Sequence, residues 1–144
     1  MTEDDVKAKV QHILTKNFDV GLWGDRGYYV DRGSTRCFVS VDARGGDDLR
    51  VIIRLASPVA FEVPESAALF EHVAKNTDSW LFGHLALEPD PDVPGTHSIL
   101  FVHRLLGSYL DEAELVGAVA AVAVTADGID DEFVETFGGK RFRD

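Results

Sequence analysis

The stretch that most constrains how this chain folds runs from residue 98 to residue 139. It opens with an uninterrupted apolar run at residues 99–102, which predicts a buried strand. The longer segment after it repeats apolar residues at spacings of three and four, which predicts an amphipathic helix. Residues 105–139 contain eight acids and no Lys or Arg, so the polar side of this helix repels anions and is expected to be a solvated surface.

The predicted last helix has clear signals at both ends. Asp111 and Glu114 form a capping pair at its start, and Gly138 with Gly139 ends it. Gly128 lies inside the helix and costs about 1 kcal/mol relative to alanine, so a continuous helix and a bent or broken one both stay open. The apolar stripe of this helix consists of Leu115, Val119, Val122, Ala126, Ile129, Phe133 and Phe137.

Apolar segments bounded by turn residues predict five strands. A turn at residues 31–34 joins the first two strands, and a second turn at 44–48 precedes the third strand, which Ser57 and Pro58 end. Three prolines and a glycine make residues 88–95 a loop between the last two strands. The predicted strands cover residues 28–30, 37–41, 49–56, 80–87 and 97–103.

Two more helices complete the predicted pattern. One begins after Thr2, and the other begins near Pro64, a residue that suits the first turn of a helix. The order α-β-β-β-α-β-β-α predicts one α+β domain over residues 1–144, with a five-stranded, mainly antiparallel sheet, helices on one face and a loose tail at 140–144. The predicted buried stripes are Val6, Val10, Ile13 and Leu14 in the first helix, and Leu69, Phe70, Val73 and Ala74 in the second.

Composition narrows the class of partner and the location. The chain of 144 residues can bury roughly 70% of the surface of its unfolded form, so it needs neither a metal nor a disulfide to fold. A net charge of −11 argues against nucleic acid or an anionic membrane as partner and favours basic or apolar proteins. Cys37 is the only cysteine, the N-terminus is acidic, and no apolar run approaches the roughly 20 residues that span a bilayer. We therefore expect a cytoplasmic protein.

With that element order, the chain resembles the YbjN-type proteins, which belong to the secretion-chaperone-like fold. The resemblance extends over residues 3–142 and implies a dimeric module that binds peptides or proteins and has no known enzymology. The motifs that carry it are TRCFVSV at 35–41, SPV at 57–59, VPE at 63–65, Asn76 with LFG at 81–83, HRLLG at 103–107 with Leu110 and Asp111, TAD at 125–127 and FGG at 137–139.

The candidate metal ligands do not converge in the sequence. His97 and His103 share a face of one predicted strand but lie roughly 20 Å apart at about 3.3 Å per residue. The acidic run at residues 127–132 fails the calcium-loop spacing, because Ala123 and Val134 stand where oxygen ligands are needed. The remaining histidines, His12, His72 and His84, have no partner at helical spacing that completes a set. We expect no metal and no cofactor.

No catalytic pattern stands out either. Cys37 lies in the middle of a predicted strand among apolar neighbours, where a thiol is expected to be buried and inert. Ser34, Ser57 and Ser98 lack the Gly-x-Ser-x-Gly setting of a hydrolase nucleophile. We therefore expect a protein that is not an enzyme.

The strongest functional signal is apolar, because both faces of the predicted sheet carry large apolar side chains. Helices cover one face, and the other is predicted to be a partner-binding or homodimer face. The alternative is that the first helix or a loop folds over this second face and makes it part of the core. The residues predicted to form the face are Phe38, Ile52, Trp80, Phe82, Leu100 and Val102.

Two hypotheses about function follow. The first is a non-enzymatic protein- or peptide-binding module, a chaperone-like protein or a regulatory adaptor, that forms a homodimer and binds neither nucleic acid nor membrane. The second is a small-ligand-binding or enzymatic α+β domain with an aromatic-lined pocket. The residues predicted for that pocket are Trp23, Tyr28, Tyr29 and Trp80, with His84 or His103 as polar groups.

Overall fold

A computed structural model describes residues 2–43 and 51–143 of the chain, and it contains three helices and six strands in these ranges. The element order is α-β-β-β-β-α-β-β-α. The elements are α1 (Glu3–Asn17), β1 (Val20–Trp23), β2 (Gly27–Arg32), β3 (Thr35–Ala43), β4 (Val51–Pro64), α2 (Ala67–Lys75), β5 (His84–Pro89), β6 (Thr96–Leu106) and α3 (Glu112–Phe137).

The six strands form one antiparallel sheet in the order β1-β2-β3-β4-β6-β5. The predicted α+β class, with a mainly antiparallel sheet and helices on one face, is confirmed, but the sheet has six strands instead of five. The additional strand is β1, which Gly21 helps to conceal in the sequence because glycine disfavours strands. Glycine is required there, since a Cβ on Gly21 would lie 2.0 Å from the ring of Tyr29 on β2.

Several predicted boundaries were wrong. Ser57 and Pro58 do not end the third predicted strand; β4 continues to Pro64, and its pairing with β6 absorbs register shifts after Pro58. Bulges of this kind are positions where a sheet tolerates proline. The second helix begins at Ala67, because Ser66 accepts a hydrogen bond from the Leu69 N–H at 3.0 Å. The turn predicted at 44–48 and the predicted strand start at residue 49 lie outside the described residues.

All three helices pack on the same side of the sheet, which we call the inner face. As predicted, α1 buries Val6, Val10, Ile13 and Leu14 there. In α2 only part of the predicted stripe is buried, since Leu69 is inaccessible but Phe70 is 42% exposed. The strands contribute the fully buried Cys37, Val39, Ile53, Leu55, Ile99 and Phe101 to the same core.

The last helix, α3, is the main cover of the inner face. It is continuous from Glu112 to Phe137, so Gly128 does not break it into two helices. A Cβ on Gly128 would meet no described atom within 4 Å, and no packing reason for a glycine is visible at this position. The predicted stripe residues Leu115, Val119, Val122, Ala126 and Phe133 are buried, and Ile129 and Phe137 are partly buried.

The turn between β2 and β3 holds α3 against the sheet. Asp127 on α3 accepts hydrogen bonds from the Ser34 N–H at 2.9 Å and from the Ser34 hydroxyl at 2.8 Å. Gly33 has a positive φ of 52°, and a Cβ there would lie 2.2 Å from the Asp127 carboxylate. Only glycine allows this approach, so the turn residues predicted from the sequence also form an anchor for the helix.

Asp130, one turn further along α3, corrects the expectation of a fully solvated acidic surface, because it is only 1% exposed. Its Oδ2 contacts the Ser34 hydroxyl, and its Oδ1 has no hydrogen-bond partner among the described residues. One hydroxyl proton cannot serve both Asp127 and Asp130, so both contacts become hydrogen bonds when Asp130 itself carries a proton. Burial, the main cause, raises the pKa of Asp130, which is the direction that this arrangement favours.

The hydrogen bonds that Ser34 donates to Asp127 lower the pKa of this carboxyl, and the bond from the backbone N–H has the larger effect. Because the pKa of Asp127 is lowered and that of Asp130 is raised, the two acids should make the stability of the fold depend on pH with opposite signs. Asp127 stabilises the fold above its unfolded pKa and loses that effect as pH falls through its folded pKa. Asp130 stabilises the fold most below its unfolded pKa and loses that effect as pH rises through its folded pKa. We expect Asp127→Asn to cost about 1 kcal/mol at pH 7 and progressively less toward pH 3.

In Asp130→Asn, the free energy of unfolding should instead increase relative to that of the wild type as pH rises from about 4 to 7, because the wild type loses the stabilising effect of Asp130 over this range. Urea unfolding of both variants and the wild type across this pH range measures these differences. Parallel stability curves for the two variants would contradict the assignment.

Gly128→Ala should raise the free energy of unfolding by about 0.5–1 kcal/mol, because the helix is continuous there and the added methyl group meets open space. Thermal and urea denaturation measure the change. A matched control is Gly33→Ala, which should destabilise the protein because its Cβ would collide with Asp127. Loss of stability in Gly128→Ala would show that α3 departs from regular helix at this residue.

Candidate functional site

The face of the sheet opposite the helices, which we call the outer face, carries four of the six residues predicted to bind a partner. The strand pairing places Phe38 beside Ala56, Ala56 beside Val102, and Ile52 beside Leu106, with Leu100 further along β6. Side chains at directly paired positions point to the same side of a sheet. Val102 is nevertheless only 1% exposed, so part of this face is covered.

Trp80 and Phe82, the other two predicted residues, do not lie on the outer face. They precede β5 in the irregular segment after α2, where the sequence alternation had predicted a strand. The Trp80 ring packs at right angles to Phe101 with 5.1 Å between centroids, and the Phe82 ring lies 5.7 Å from that of His103. Phe101 is a fully buried inner-face residue, so the predicted six-residue surface is divided between two sides of the molecule.

The end of the outer face nearest β1 is covered by the C-terminal residues 140–143. Lys140 pairs with Phe61 through two backbone hydrogen bonds of 2.7 and 2.9 Å. Phe142 then places its ring 6.1 Å from Phe38 and 6.2 Å from Phe61. These contacts differ from the loose tail expected for this segment. Together with Trp23, 4.8 Å from Phe38, and Tyr29, 6.4 Å from it, these rings form an outer aromatic cluster.

Charged groups hold this end of the face together. The guanidinium of Arg36 lies 3.6 Å from the centroid of the Tyr29 ring and binds Asp31 at 2.7 Å. Arg143 donates to the carbonyl of Gly33 at 3.1 Å and also pairs with Asp31. The hydrogen bond from Arg36 is the main cause that lowers the pKa of Asp31. Phe38 therefore packs against Trp23, Tyr29 and Phe142 of its own chain.

The accessible remainder of the outer face includes an outer patch, formed by Ile52, Leu106, Arg54 and Arg104. Leu106 is 48% exposed and Ile52 is half-buried, whereas the half-buried Leu100 pairs with Pro58 further along β6 and lies outside the patch. Arg54 and Arg104 stand directly opposite each other on β4 and β6, an unfavourable like-charge pair that Glu88 relieves by binding Arg54 at 3.3 Å. A shallow cavity of about 400 Å³ lies over this patch.

A second concave surface, the aromatic groove, lies on the helix side of the molecule between α2 and the end of α3. Its volume is about 350 Å³, within the range of ordinary ligand pockets. Rings dominate its lining, and a single charged side chain, Glu132, is present among its described residues. The lining residues are His72, Asn76, Trp80, Ile129, Glu132, Phe133, Thr136 and Phe137.

Packing among the rings fixes the shape of the aromatic groove. Phe133 and Phe137 lie one turn apart on α3 with 4.8 Å between ring centroids, and the His72 ring is 5.1 Å from Phe137. Asn76 ends α2 and donates its side-chain amide to the His72 carbonyl at 2.7 Å. Thr136 donates its hydroxyl to the Glu132 carbonyl at 2.8 Å, as is common within helices.

The sequence analysis did not identify this groove. Phe133 and Phe137 appeared there as members of a buried stripe, and Trp80 was placed on the opposite face. An available signal was the concentration of aromatic residues in the last two turns of a helix that elsewhere buries small aliphatic residues, together with a histidine on the preceding helix. The meeting of those two helix ends is a tertiary contact that sequence periodicity does not report.

The pocket predicted from Trp23, Tyr28, Tyr29 and Trp80 is not assembled. Trp23 and Tyr29 belong to the outer aromatic cluster, whereas Tyr28 points to the inner face beside Val39 and Trp80 lies against Phe101. Tyr28 and Tyr29 are consecutive in β2, so their side chains point to opposite faces.

Two chemical features of the described residues bear on catalysis and metal binding. Cys37 is fully buried, and burial raises the pKa of its thiol to about 12, which agrees with the inert cysteine predicted from the sequence. Within residues 2–43 and 51–143, no group of three or more His, Cys, Asp or Glu side chains is placed to hold a metal ion.

Over the same residues, no helix has both the length and the apolar character needed to cross a membrane.

Comparison with known proteins identifies a family for this chain. A family model described as T3SS (YopN, CesT) and YbjN peptide-binding chaperone 1 matches residues 4–144. A search of curated proteins found no match. Because the family model spans nearly the whole chain, the resemblance to YbjN-type proteins is confirmed, and the chain belongs to the TY-Chap1 family of peptide-binding chaperone domains.

Proposed function

We propose that this protein binds a peptide segment of a protein partner in the aromatic groove and catalyses no reaction on it. The observation that carries the proposal is the concave surface of about 350 Å³ lined by Trp80, Phe133 and Phe137 in a member of a peptide-binding family. Trp80 and Phe137 are partly accessible, and aromatic residues are among those that most often dominate binding energy at interfaces.

The polar groups of the groove support binding without catalysis. His72 is placed between aromatic rings and Asn76, and the Thr136 hydroxyl is directed to a backbone carbonyl of its own helix. Nucleophilic catalysis needs a hydroxyl or thiol within hydrogen-bond reach of a base, and the described lining residues show no such pair. Polar groups arranged in this way can orient a peptide backbone.

Phe137→Ala should weaken binding of a groove-specific peptide by at least about tenfold, because it removes a ring from the lining. The probe is a fluorescein-labelled nine-residue peptide selected on the immobilised wild-type protein from a random display library, and binding is measured by fluorescence anisotropy. The matched control is Phe82→Ala, which removes a 46% exposed ring that does not line the groove and should change affinity less than twofold.

Circular dichroism of each variant separates loss of binding from loss of fold. Equal effects of the two substitutions on affinity, or a library that yields no binding peptide, would contradict the proposal.

We also propose that the protein forms a homodimer through the outer patch. Ile52 and Leu106 are apolar, accessible and directly paired on the two central strands, and no described helix packs on this face. A twofold axis would bury the patch against its own copy. The two arginines beside it, Arg54 and Arg104, favour acidic side chains of the partner copy opposite them.

Ile52→Asp should therefore shift the protein to monomer and raise the dimer dissociation constant by at least about tenfold, because it places a charge in the apolar centre of the patch. Sedimentation equilibrium over a hundredfold range of concentration measures this. Leu22→Asp is the control, since Leu22 is 72% exposed on the edge strand β1 and lies away from the patch. A wild-type protein that stays monomeric throughout would contradict the dimer proposal and leave the peptide proposal intact.

A further inference from the structure

The aromatic groove combines ring faces with a carboxylate that has no cationic partner. Glu132 lines the groove and is exposed, and no hydrogen bond or ion pair of its carboxylate is recorded with any described residue. Nearby acids on the two helices do have a basic partner. Asp131 on α3 binds Arg141 at 2.6 Å, and Glu71 on α2 binds Lys75 at 2.5 Å. Glu132 is thus an acid at the mouth of a concave, ring-lined surface, without the basic partner that its neighbours have.

The remaining lining groups do not compete for a cation. Trp80 and Phe137, which are partly accessible, contribute aromatic rings above the buried Phe133, and the faces of such rings carry partial negative charge and attract ammonium and guanidinium groups. Asn76 and Thr136 are neutral, and His72 is the remaining polar side chain of the described lining. No Lys or Arg lines the groove among the described residues.

The charge distribution along the chain reinforces this local arrangement. No Lys or Arg occurs between Arg104 and Lys140, and α3, which carries Glu132, lies within that interval. With a net charge of −11, the molecule attracts basic segments over distances longer than a hydrogen bond. The electric field of the net negative charge favours a cation anywhere near the surface, whereas the groove beside Glu132 offers one defined position for it.

We propose that the aromatic groove receives a positively charged side chain, arginine or lysine, of the bound peptide, with its charge against Glu132 and its stem or guanidinium plane against the rings. This inference rests on the proposed peptide-binding function and specifies the chemistry of its ligand. The partner is accordingly a segment in which a basic residue has apolar neighbours. A purely apolar anchor in the groove is the competing outcome that the experiment distinguishes.

The test compares two blocked nonapeptides that share apolar flanks and differ at the central residue, which is arginine in one and the neutral isostere citrulline in the other. The Trp23→Phe variant leaves Trp80 as the only tryptophan, so its fluorescence reports occupation of the groove. Titrations at pH 8 keep ordinary histidines neutral, and low salt limits screening. We expect the arginine peptide to bind about tenfold more tightly than the citrulline peptide.

Two isosteric substitutions locate the preference. Glu132→Gln should reduce the preference for arginine to about twofold or less, whereas Glu135→Gln, which removes the same charge from an exposed position of α3 outside the groove, should leave it within twofold of the parent value. If both substitutions reduce the preference equally, the long-range field explains it and the proposed site is wrong. Thermal denaturation confirms that both variants are folded.

Different results would contradict the cation site and the peptide-binding function. Equal binding of the arginine and citrulline peptides, or no response of Trp80 to either up to about 5 mM, overturns the cation site. The peptide-binding function then still stands or falls on whether library-selected peptides bind and lose affinity in Phe137→Ala. A tenfold preference that disappears in Glu132→Gln alone supports both.

Discussion

The rest of the structure depends on burial of the inner sheet face beneath α3. Leu115, Val119 and Val122 fill the space above the central strands, and each such side chain contributes about 1.5–3 kcal/mol when it leaves water. Ser34 in the turn between β2 and β3 binds Asp127 and so positions the helix along the sheet. Both surfaces with functional potential follow from this one packing arrangement.

The aromatic groove exists because the end of α3 meets α2, where Phe133 and Phe137 contact His72. The outer patch exists because all three helices pack on the inner face, and the C-terminal residues cover only the end of the outer face with Phe142. A single-domain chain of this size has too few elements to cover both faces of six strands. Both the groove and the patch therefore follow from the small number of helices that is available to cover the sheet.

Local periodicity predicted most of the fold, including the buried stripes that begin at Val6 in α1 and at Leu115 in α3, but it left the continuity of α3 through Gly128 open. It failed where the structure is decided by contacts distant in sequence. Strand β1 was not predicted because it contains Gly21, and a glycine is needed there since the ring of Tyr29 occupies the space of a side chain. Trp80 alternates like a strand residue but packs onto Phe101 from an irregular segment, and so the predicted interface was divided between two sides of the molecule.

The two ends of the sheet have a consequence for how the molecule behaves at high concentration. An unpaired strand edge is a template for adding further chains, which leads to aggregation. Here the edge strands are short: β1 has four residues, and β5 has six that end in Glu88 and Pro89. The charge and the proline both resist strand addition, so the protein can display apolar patches on its faces while its edges oppose the growth of an extended sheet.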